Sequence, residues 1–253
     1  MVGRRIVAVD VRERRLRWPV PAEVDGVAGR EVRSVGRRGK YLLFDVGSGT
    51  VIVHLGMSGS LRICGEGWDL RKHDHVVVRF DNGTEMRLHD PRRFGCVLFC
   101  DGEVEEHKLL RELGPEPMGE GFSAETLAVA AKGKSVAIKQ LIMNSHVVVG
   151  VGNIYACEAL FLAGIHPARA AGRVGKGRLA RLAETIKAVL GESIEMGGTT
   201  LRDFLREDGE PGYFKQRLRV YDREGEECRV CGAAVKRVVQ GGRSTFYCGR
   251  CQR

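Results

Sequence analysis

The sequence predicts an α+β multidomain chain: an antiparallel β-sandwich or barrel, then a helical domain, then a short strand segment built around cysteines. Three observations carry this expectation. Residues 1–100 hold short β-branched or alternating runs broken by glycine, asparagine and aspartate. Beyond about residue 106, apolar residues recur at spacings of three and four. The last stretch returns to short strands around two CxxC pairs. These shifts in pattern predict domains over 1–105, 106–220 and 221–253.

The strand expectation rests on VRSVGRRGKYLLFDV, TVIVHLGM, HDHVVVRF and GTEMRLHD, with the Asp-Asn-Gly at 81–83 as a hairpin turn. DGEVEEHKLLRELGPEP is polar, ends in a Pro- and Gly-rich turn and reads as a linker. Ser123, with Glu125 and Thr126 behind it, opens a helix over SAETLAVAAK. Helices are also expected over KSVAIKQLIM, NIYACEALFLAG, KGRLARLAETIKAVLGESIEMG and TTLRDFLRE. Gly164 and Gly197 stand where C-terminal caps belong.

At 253 residues the chain can bury more than one core. Its 43% hydrophobic and 29% charged residues are an ordinary globular balance. No apolar run has the length of a membrane span, and charges interrupt MVGRRIVAVDVRERRLRWPV throughout, unlike a signal peptide. A cytoplasmic protein with reduced cysteines is the expectation. The formal charge is +9 and the pI about 9.3, which suits a polyanionic partner. The cations cluster: Arg12, Arg14, Arg15 and Arg17 in one stretch, Arg33, Arg37, Arg38 and Lys40 in another.

Cys228 and Cys231 form one CxxC turn and Cys248 and Cys251 a second, with residues 232–247 between them. Each turn offers two thiolates to one ion, and two turns complete a tetrahedron. Four thiolates with no open position indicate one structural zinc ion. The alternative, two disulfides, does not suit a reducing compartment. Cys64, Cys96, Cys100 and Cys157 share no ligand spacing and read as small buried apolar residues. Between the CxxC turns, VKRVVQGGRSTFYC reads as a hairpin with Gly241 and Gly242 at its tip and Arg243 just after, a cation suited to a phosphate; on spacing alone a merely solvated arginine would look the same. In VVVGVGNIYA, Gly150 and Gly152 make a tight turn and Asn153 opens a helix, an arrangement whose amides suit phosphate; a plain helix–helix turn would look the same.

KQLIMNSHVVVGVGNIYACEALFLAGIHP, HLGMSGSLRI, KHDH, DPRRFG, LGPEP, GGTTLRDF, DGEPGYF and the CxxC pairs occur here in one order. Together they resemble the formamidopyrimidine-DNA glycosylase family of base-excision repair, from about residue 2 to the C-terminus. DGEPGYFKQRLRVYDREGEECRVCG is similar to the formamidopyrimidine branch rather than the endonuclease VIII branch. The resemblance implies an N-terminal β-sandwich, a helix–two-turn–helix domain and a C-terminal zinc finger. It implies removal of oxidised purines, 8-oxoguanine and formamidopyrimidines, followed by β,δ-elimination at the abasic site. The implied partner is double-stranded DNA carrying such lesions, met by a monomer.

The resemblance also implies roles for single residues. Lys40 in GRRGKYLL matches the lysine that assists elimination and contacts phosphate at the lesion; on its own it reads as a strand cation. Met57 in HLGMSG matches the side chain that fills the space left by the everted nucleotide. Arg92 and Phe94 in DPRRFG match the residues that face the orphaned base and wedge the neighbouring step. His73, Lys134 and Asn153 match backbone-binding positions. Arg243 matches the zinc-finger arginine that contacts phosphate and assists the second elimination. Residues 207–214 match the loop that closes over the everted base.

Three departures from the family pattern stand out. The family opens on Met-Pro-Glu-Leu-Pro-Glu, where the proline amine is the nucleophile and the adjacent glutamate the acid and base. Here MVGRRI aligns just after the family's first helix. Either the start is misassigned or clipped and the natural protein is an ordinary glycosylase, or the chain binds damaged or abasic DNA without turnover. Glu210 stands where the loop often carries lysine, and His146 where lysine or arginine is common.

Overall fold

The computed structural model describes residues 1–65, 67–198 and 214–253. The chain divides into two compact units, the first formed by residues 1–112 and the second by the residues from 113 onward that the structure describes. The expected helix over TTLRDFLRE, the loop at 207–214 and the Glu210 departure all fall on or largely on residues outside the described set.

The first unit is an all-antiparallel β-sandwich. One sheet orders β1 (Ile6–Val11), β6 (Asp74–Phe80), β7 (Glu85–His89) and β5 (Ser60–Cys64). The other orders β2 (Ser34–Arg38), β3 (Tyr41–Asp45), β4 (Thr50–His54) and β8 (Cys96–Cys100). Their inner faces meet in a valine-rich core: Phe44, Val51, Val53 and Val97 from one sheet, Ile6, Val76, Val78, Phe80, Met86 and Leu88 from the other. A 3₁₀ turn over Ala22–Val27 adds Val24 and Val27 to this core. Each such side chain, fully buried, contributes about 1.5–3 kcal/mol. The β6–β7 hairpin turns at Asp81–Thr84 with Gly83 at φ +79°, as the Asp-Asn-Gly signal implies. Lys40 is not on a strand. Gly39, at φ +57°, and Lys40 form the two-residue turn joining β2 to β3, because only a residue free of Cβ strain closes so tight a hairpin.

The strand pairing gathers several turns at one end of this sandwich. The chain leaves one sheet after His54 and enters the other at Ser60; it returns between His89 and Cys96. His54 pairs with Cys96 and Ser60 with His89, so both crossings lie together. Tyr41 also pairs with His54, and Asp74 with His89. The β2–β3 turn and the entry to β6 therefore share this end. No single strand encodes that arrangement; the antiparallel register does.

The second unit begins in the stretch expected to be a linker. Residues 104–106 make a 3₁₀ turn and Leu110 is buried within the first unit's range, and the boundary between the units falls at 112/113. Ser123 then caps α1 (Ala124–Ala131) through a capping box with Thr126, as its sequence implies. α2 is short, Ile138–Ile142, because Ala137 is extended and bridges Ala170. α3 (Asn153–Ala163) is apolar nearly all round and buried accordingly; Gly164 ends it at φ +69°. α4 (Lys176–Glu195) is amphipathic and buries Leu179, Leu182, Ala183, Ile186 and Val189. β9 (Val235–Gln240) and β10 (Arg243–Cys248) form the expected hairpin around Gly241 and Gly242, both at positive φ. The C-terminus seals this hairpin segment to the end of α3: buried Gln252 donates to the Ile165 carbonyl at 2.9 Å and accepts from Cys248 N–H at 2.9 Å. Among the described residues no helix is long and apolar enough to cross a membrane.

Candidate nucleic-acid interface

At the gathered end of the sandwich stand five of the residues singled out from sequence: Lys40, Met57, His73, Arg92 and Phe94. Lys40 is exposed on the β2–β3 turn, whose Gly39 carbonyl accepts from the Arg37 guanidinium at 2.8 Å. Met57 is 60% exposed on the β4–β5 crossing, and Phe94 is 43% exposed on the return. Large apolar side chains left in water at adjoining turns need a reason, since burial would stabilise them. The turns are pressed together. A Cβ on Gly56 would stand 2.6 Å from the Phe94 carbonyl carbon and 2.7 Å from Gly95 N, so only glycine fits. Arg92 lays its guanidinium over the Phe94 ring at 4.7 Å, a cation–π contact.

Buried polar groups brace this surface from behind. Asp90, fully buried, accepts from Gly95 N–H at 2.7 Å, and its carbonyl accepts from the His75 ring at 2.9 Å. That shapes the DPRRFG turn. Asp74, also fully buried, accepts from Arg62 at 2.8 Å, from the His89 ring at 2.9 Å and from Arg71 N–H at 3.0 Å. His73 sits between the two histidines, 5.9 Å from each ring. Sequence reading passed over His54. It stacks on Tyr41 at 4.9 Å, accepts from Gly56 N–H at 2.9 Å, and so joins the Lys40 turn to the Met57 turn. Burial lowers its pKa, and the Lys40 and Arg17 charges lower it further. The histidine in HLGMSG was the only signal available.

Burial pushes the Asp74 pKa up, but the Arg71 amide, His89 and Arg62 together hold it below the ordinary 3.8. A depressed carboxylate contributes stability that is complete above its unfolded value and lost as pH falls through the folded one. Asp74→Asn is expected to cost about 3–5 kcal/mol, because it removes the buried charge that pairs with Arg62 and accepts from the His89 ring and the Arg71 amide. Urea midpoints from pH 2 to 6 should also lose part of their acid dependence in the variant. An unchanged midpoint at pH 6 would show that the cluster is not stabilising.

In the second unit, Asn153 and the strand of Arg243 come together. Asn153 starts α3 beside its cap residue Gly152, and its amide donates to the Ser244 carbonyl at 2.9 Å and to the Tyr221 hydroxyl at 3.4 Å. Lys139 on α2 completes the node. Its ammonium, 1% exposed, donates to Asn153 Oδ1 at 2.5 Å and to the Thr245 hydroxyl at 2.6 Å. Burial lowers the Lys139 pKa, and the nearby Arg243 charge lowers it further against an opposing Cys157. A lysine at an apolar helix start reads as a surface cation, so sequence gave no sign of this role. Gly241, at φ +56°, packs against Gln140; a Cβ there would meet its side-chain nitrogen at 2.8 Å. Arg243 is thus held by α2 and α3 as well as by its own hairpin. Lys134 is exposed on a separate turn, pinned where Gly172 N–H donates to its carbonyl at 2.9 Å. His146 is likewise exposed, in the turns before α3.

The four cysteines converge as their spacing implies, with all Sγ atoms within 4.8 Å of one another. Cys228 and Cys251 sulfurs are 3.9 Å apart and Cys231 and Cys248 sulfurs 3.5 Å. Ligands about 2.3 Å from one ion at tetrahedral angles lie roughly 3.8 Å apart, so the set fits zinc. Phe161, Val220, Val235 and Phe246 pack around it. The remaining cysteines behave as small apolar residues: Cys64, Cys96 and Cys157 are buried and Cys100 is half-buried. Burial raises the Cys96 thiol to about 11, which leaves it inert.

Comparison with known proteins gives this geometry its context. Family models match in sequence order: the formamidopyrimidine-DNA glycosylase N-terminal domain over residues 1–97, the H2TH domain of the same enzymes over 113–205, and the zinc finger found in FPG and IleRS over 225–253. The chain belongs to the formamidopyrimidine-DNA glycosylase family. Family members of that name from Thioalkalivibrio sulfidiphilus and Methylococcus capsulatus are each 58% identical over 254 residues, spanning 100% of this chain and 94% of theirs. The glycosylase fold agrees: the MutM (FPG) protein of Thermus thermophilus superposes with a TM-score of 0.90 at 35% identity, covering 100% of this chain and 92% of that one. The Lactococcus lactis enzyme, solved with DNA containing an abasic site, gives 0.92 at 29% identity, covering 100% and 94%.

Proposed function

We propose that this protein is a base-excision-repair DNA glycosylase that removes oxidised purines, 8-oxoguanine and formamidopyrimidines, from duplex DNA and then cleaves the abasic site. One observation carries the reading: the sandwich register brings Lys40, Met57, His73, Arg92 and Phe94 to a single end, with two large apolar side chains exposed among cations. An apolar side chain inserted between bases can hold a nucleotide out of the stack, while cations grip the phosphates beside it. Met57 fills the vacated space, Arg92 faces the orphaned base and Phe94 wedges the next step. Lys40 and Arg243 serve elimination at the sugar, and His73, Lys134 and Asn153 hold the backbone. Related structures support this: a mutant of Lactococcus lactis FPG was solved with Fapy-dG-containing DNA, and MutM with carbocyclic 8-oxo-G-containing DNA.

The test separates binding from chemistry. Met57→Ala and Phe94→Ala are expected to lower the preference for 8-oxoguanine over intact duplex at least tenfold, with little loss of non-specific affinity, since neither side chain is charged. For the chemistry, the chain is supplied with a start that exposes Pro-Glu ahead of residue 1. Borohydride should then trap a covalent adduct with 8-oxoguanine duplex, and Lys40→Ala should slow nicking more than it weakens binding. Lesion preference without any trapped adduct would make the protein a damage binder. No lesion preference at all would overturn both readings.

A further inference from the structure

The helical unit carries a group of cations that none of the assigned roles uses, apart from Lys134. Two turns are fused there. Gly172 N–H donates to the Lys134 carbonyl, and a Cβ on Gly172 would stand 3.0 Å from Lys134 N and 3.2 Å from Gly133 N. Glycine at 172 is what lets the 132–134 and 171–173 backbones touch. From one turn project Lys132 and Lys134, from the other Arg173, and Lys176 follows at the start of α4; all four are exposed. Lys132 and Lys176 line a single open groove between α1 and α4.

These cations differ from six arginines of the sandwich. Arg14, Arg15, Arg62, Arg79, Arg87 and Arg93 each have a carboxylate within ion-pair distance. Among the described residues, Lys132, Lys134, Arg173 and Lys176 have none within 4.0 Å. Glu125 is the one acid on the groove. It lies in the first turn of α1, about seven residues and so roughly 10 Å of helix from Lys132, and its carboxylate is turned to the Ser123 hydroxyl. Four uncompensated cations crowded on one surface repel each other. Duplex DNA, with one charge per about 1.7 Å of axis, relieves that repulsion.

We propose that Lys132, Arg173 and Lys176 continue from Lys134 as a phosphate track, adding backbone contacts beyond those at Asn153 and Arg243. The inference rests on the reading of this protein as a DNA glycosylase. The track contributes affinity without sequence or lesion information, because phosphates carry none.

The experiment measures binding to a 30-base-pair duplex, intact and with one 8-oxoguanine, as a function of salt. For the combined variant K132A/R173A/K176A, the slope of log affinity against log salt should fall by about 2.7, three contacts at about 0.9 each. The ratio of lesion to intact affinity should be unchanged. All three side chains are exposed, and an unchanged melting temperature confirms the fold. The charge reversal K132E/K176E removes two of the three contacts and should lower the slope by about 1.8, while its added repulsion weakens binding. A slope within about 0.5 of the parent's for both variants would overturn the track while leaving the glycosylase reading intact. A parent chain with no salt-dependent binding would instead defeat the glycosylase reading itself.

Discussion

Cys248→Ser is expected to release the metal and unfold the hairpin that presents Arg243. Cys248 is fully buried at the centre of the cluster formed with Phe161, Val220, Val235 and Phe246. Its loss leaves three thiolates around one ion and opens that cluster to water. Apparent zinc affinities of four-ligand sites amount to about 10–16 kcal/mol of folding free energy, so little of the local structure should survive. Metal analysis of reduced protein should fall from one zinc per chain to well below one. Amide protection of Val235–Gln240 and Arg243–Cys248 should vanish, while the sandwich strands keep theirs. Non-specific DNA affinity should drop with it. Retention of one zinc by the variant, or its absence from the parent, would remove the structural-zinc assignment.

Glu158→Ala is expected to cost about 3 kcal/mol or more, a large effect for one side chain that touches neither metal nor any assigned site residue. Glu158 lies within α3, fully buried. Its carboxylate accepts three backbone N–H groups from the segment entering the zinc finger: Arg219 at 2.8 Å, Val220 at 2.9 Å and Tyr221 at 2.9 Å. Each buried donor left unpaired costs about 1–3 kcal/mol. Tyr221 in turn stacks on Phe246 at 4.9 Å and accepts from Asn153, so the same residue fixes the far side of the Asn153–Ser244 contact. Thermal melts should show the loss. Glu158→Gln, which keeps one acceptor oxygen, should recover about half of it. Equal stability of all three proteins would mean that the segment 219–221 finds water or other partners, and that α3 does not anchor the zinc finger this way.

Much of the molecule was legible because its signals are local. The CxxC pairs, the Gly241–Gly242 tip, the Asp-Asn-Gly turn, Ser123 as a cap and Gly164 as a stop each depend on neighbours in sequence, and the structure places all of them as expected. The motifs HLGMSG and DPRRFG also marked Met57 and Phe94 correctly as something other than core, although apolar content alone argues for burial. A local signal misled at one place. Lys40 looked like a strand residue because β-branched and basic residues surround it, yet Gly39 makes it a turn. The polar run after residue 101 holds the boundary between the two units, as a linker does, although Leu110 within it is buried.

Sequence by itself determined the class of fold and the zinc ligands, which follow from residue type and short spacing, and the family, which follows from the order of its motifs; the candidate contact residues are what that resemblance implies. Only the tertiary structure decided that Lys40, Met57, His73, Arg92 and Phe94 share one end of a sandwich. That depends on the registers Tyr41–His54, His54–Cys96, Ser60–His89 and Asp74–His89, which are set by how two valine-rich faces fit. It alone also showed Lys139, Glu158, Asp74 and Asp90 as buried polar groups. Their partners lie between 3 and 106 residues away in sequence. A charge can leave water only where such partners are already in place, and no spacing rule in a linear chain records where that will be.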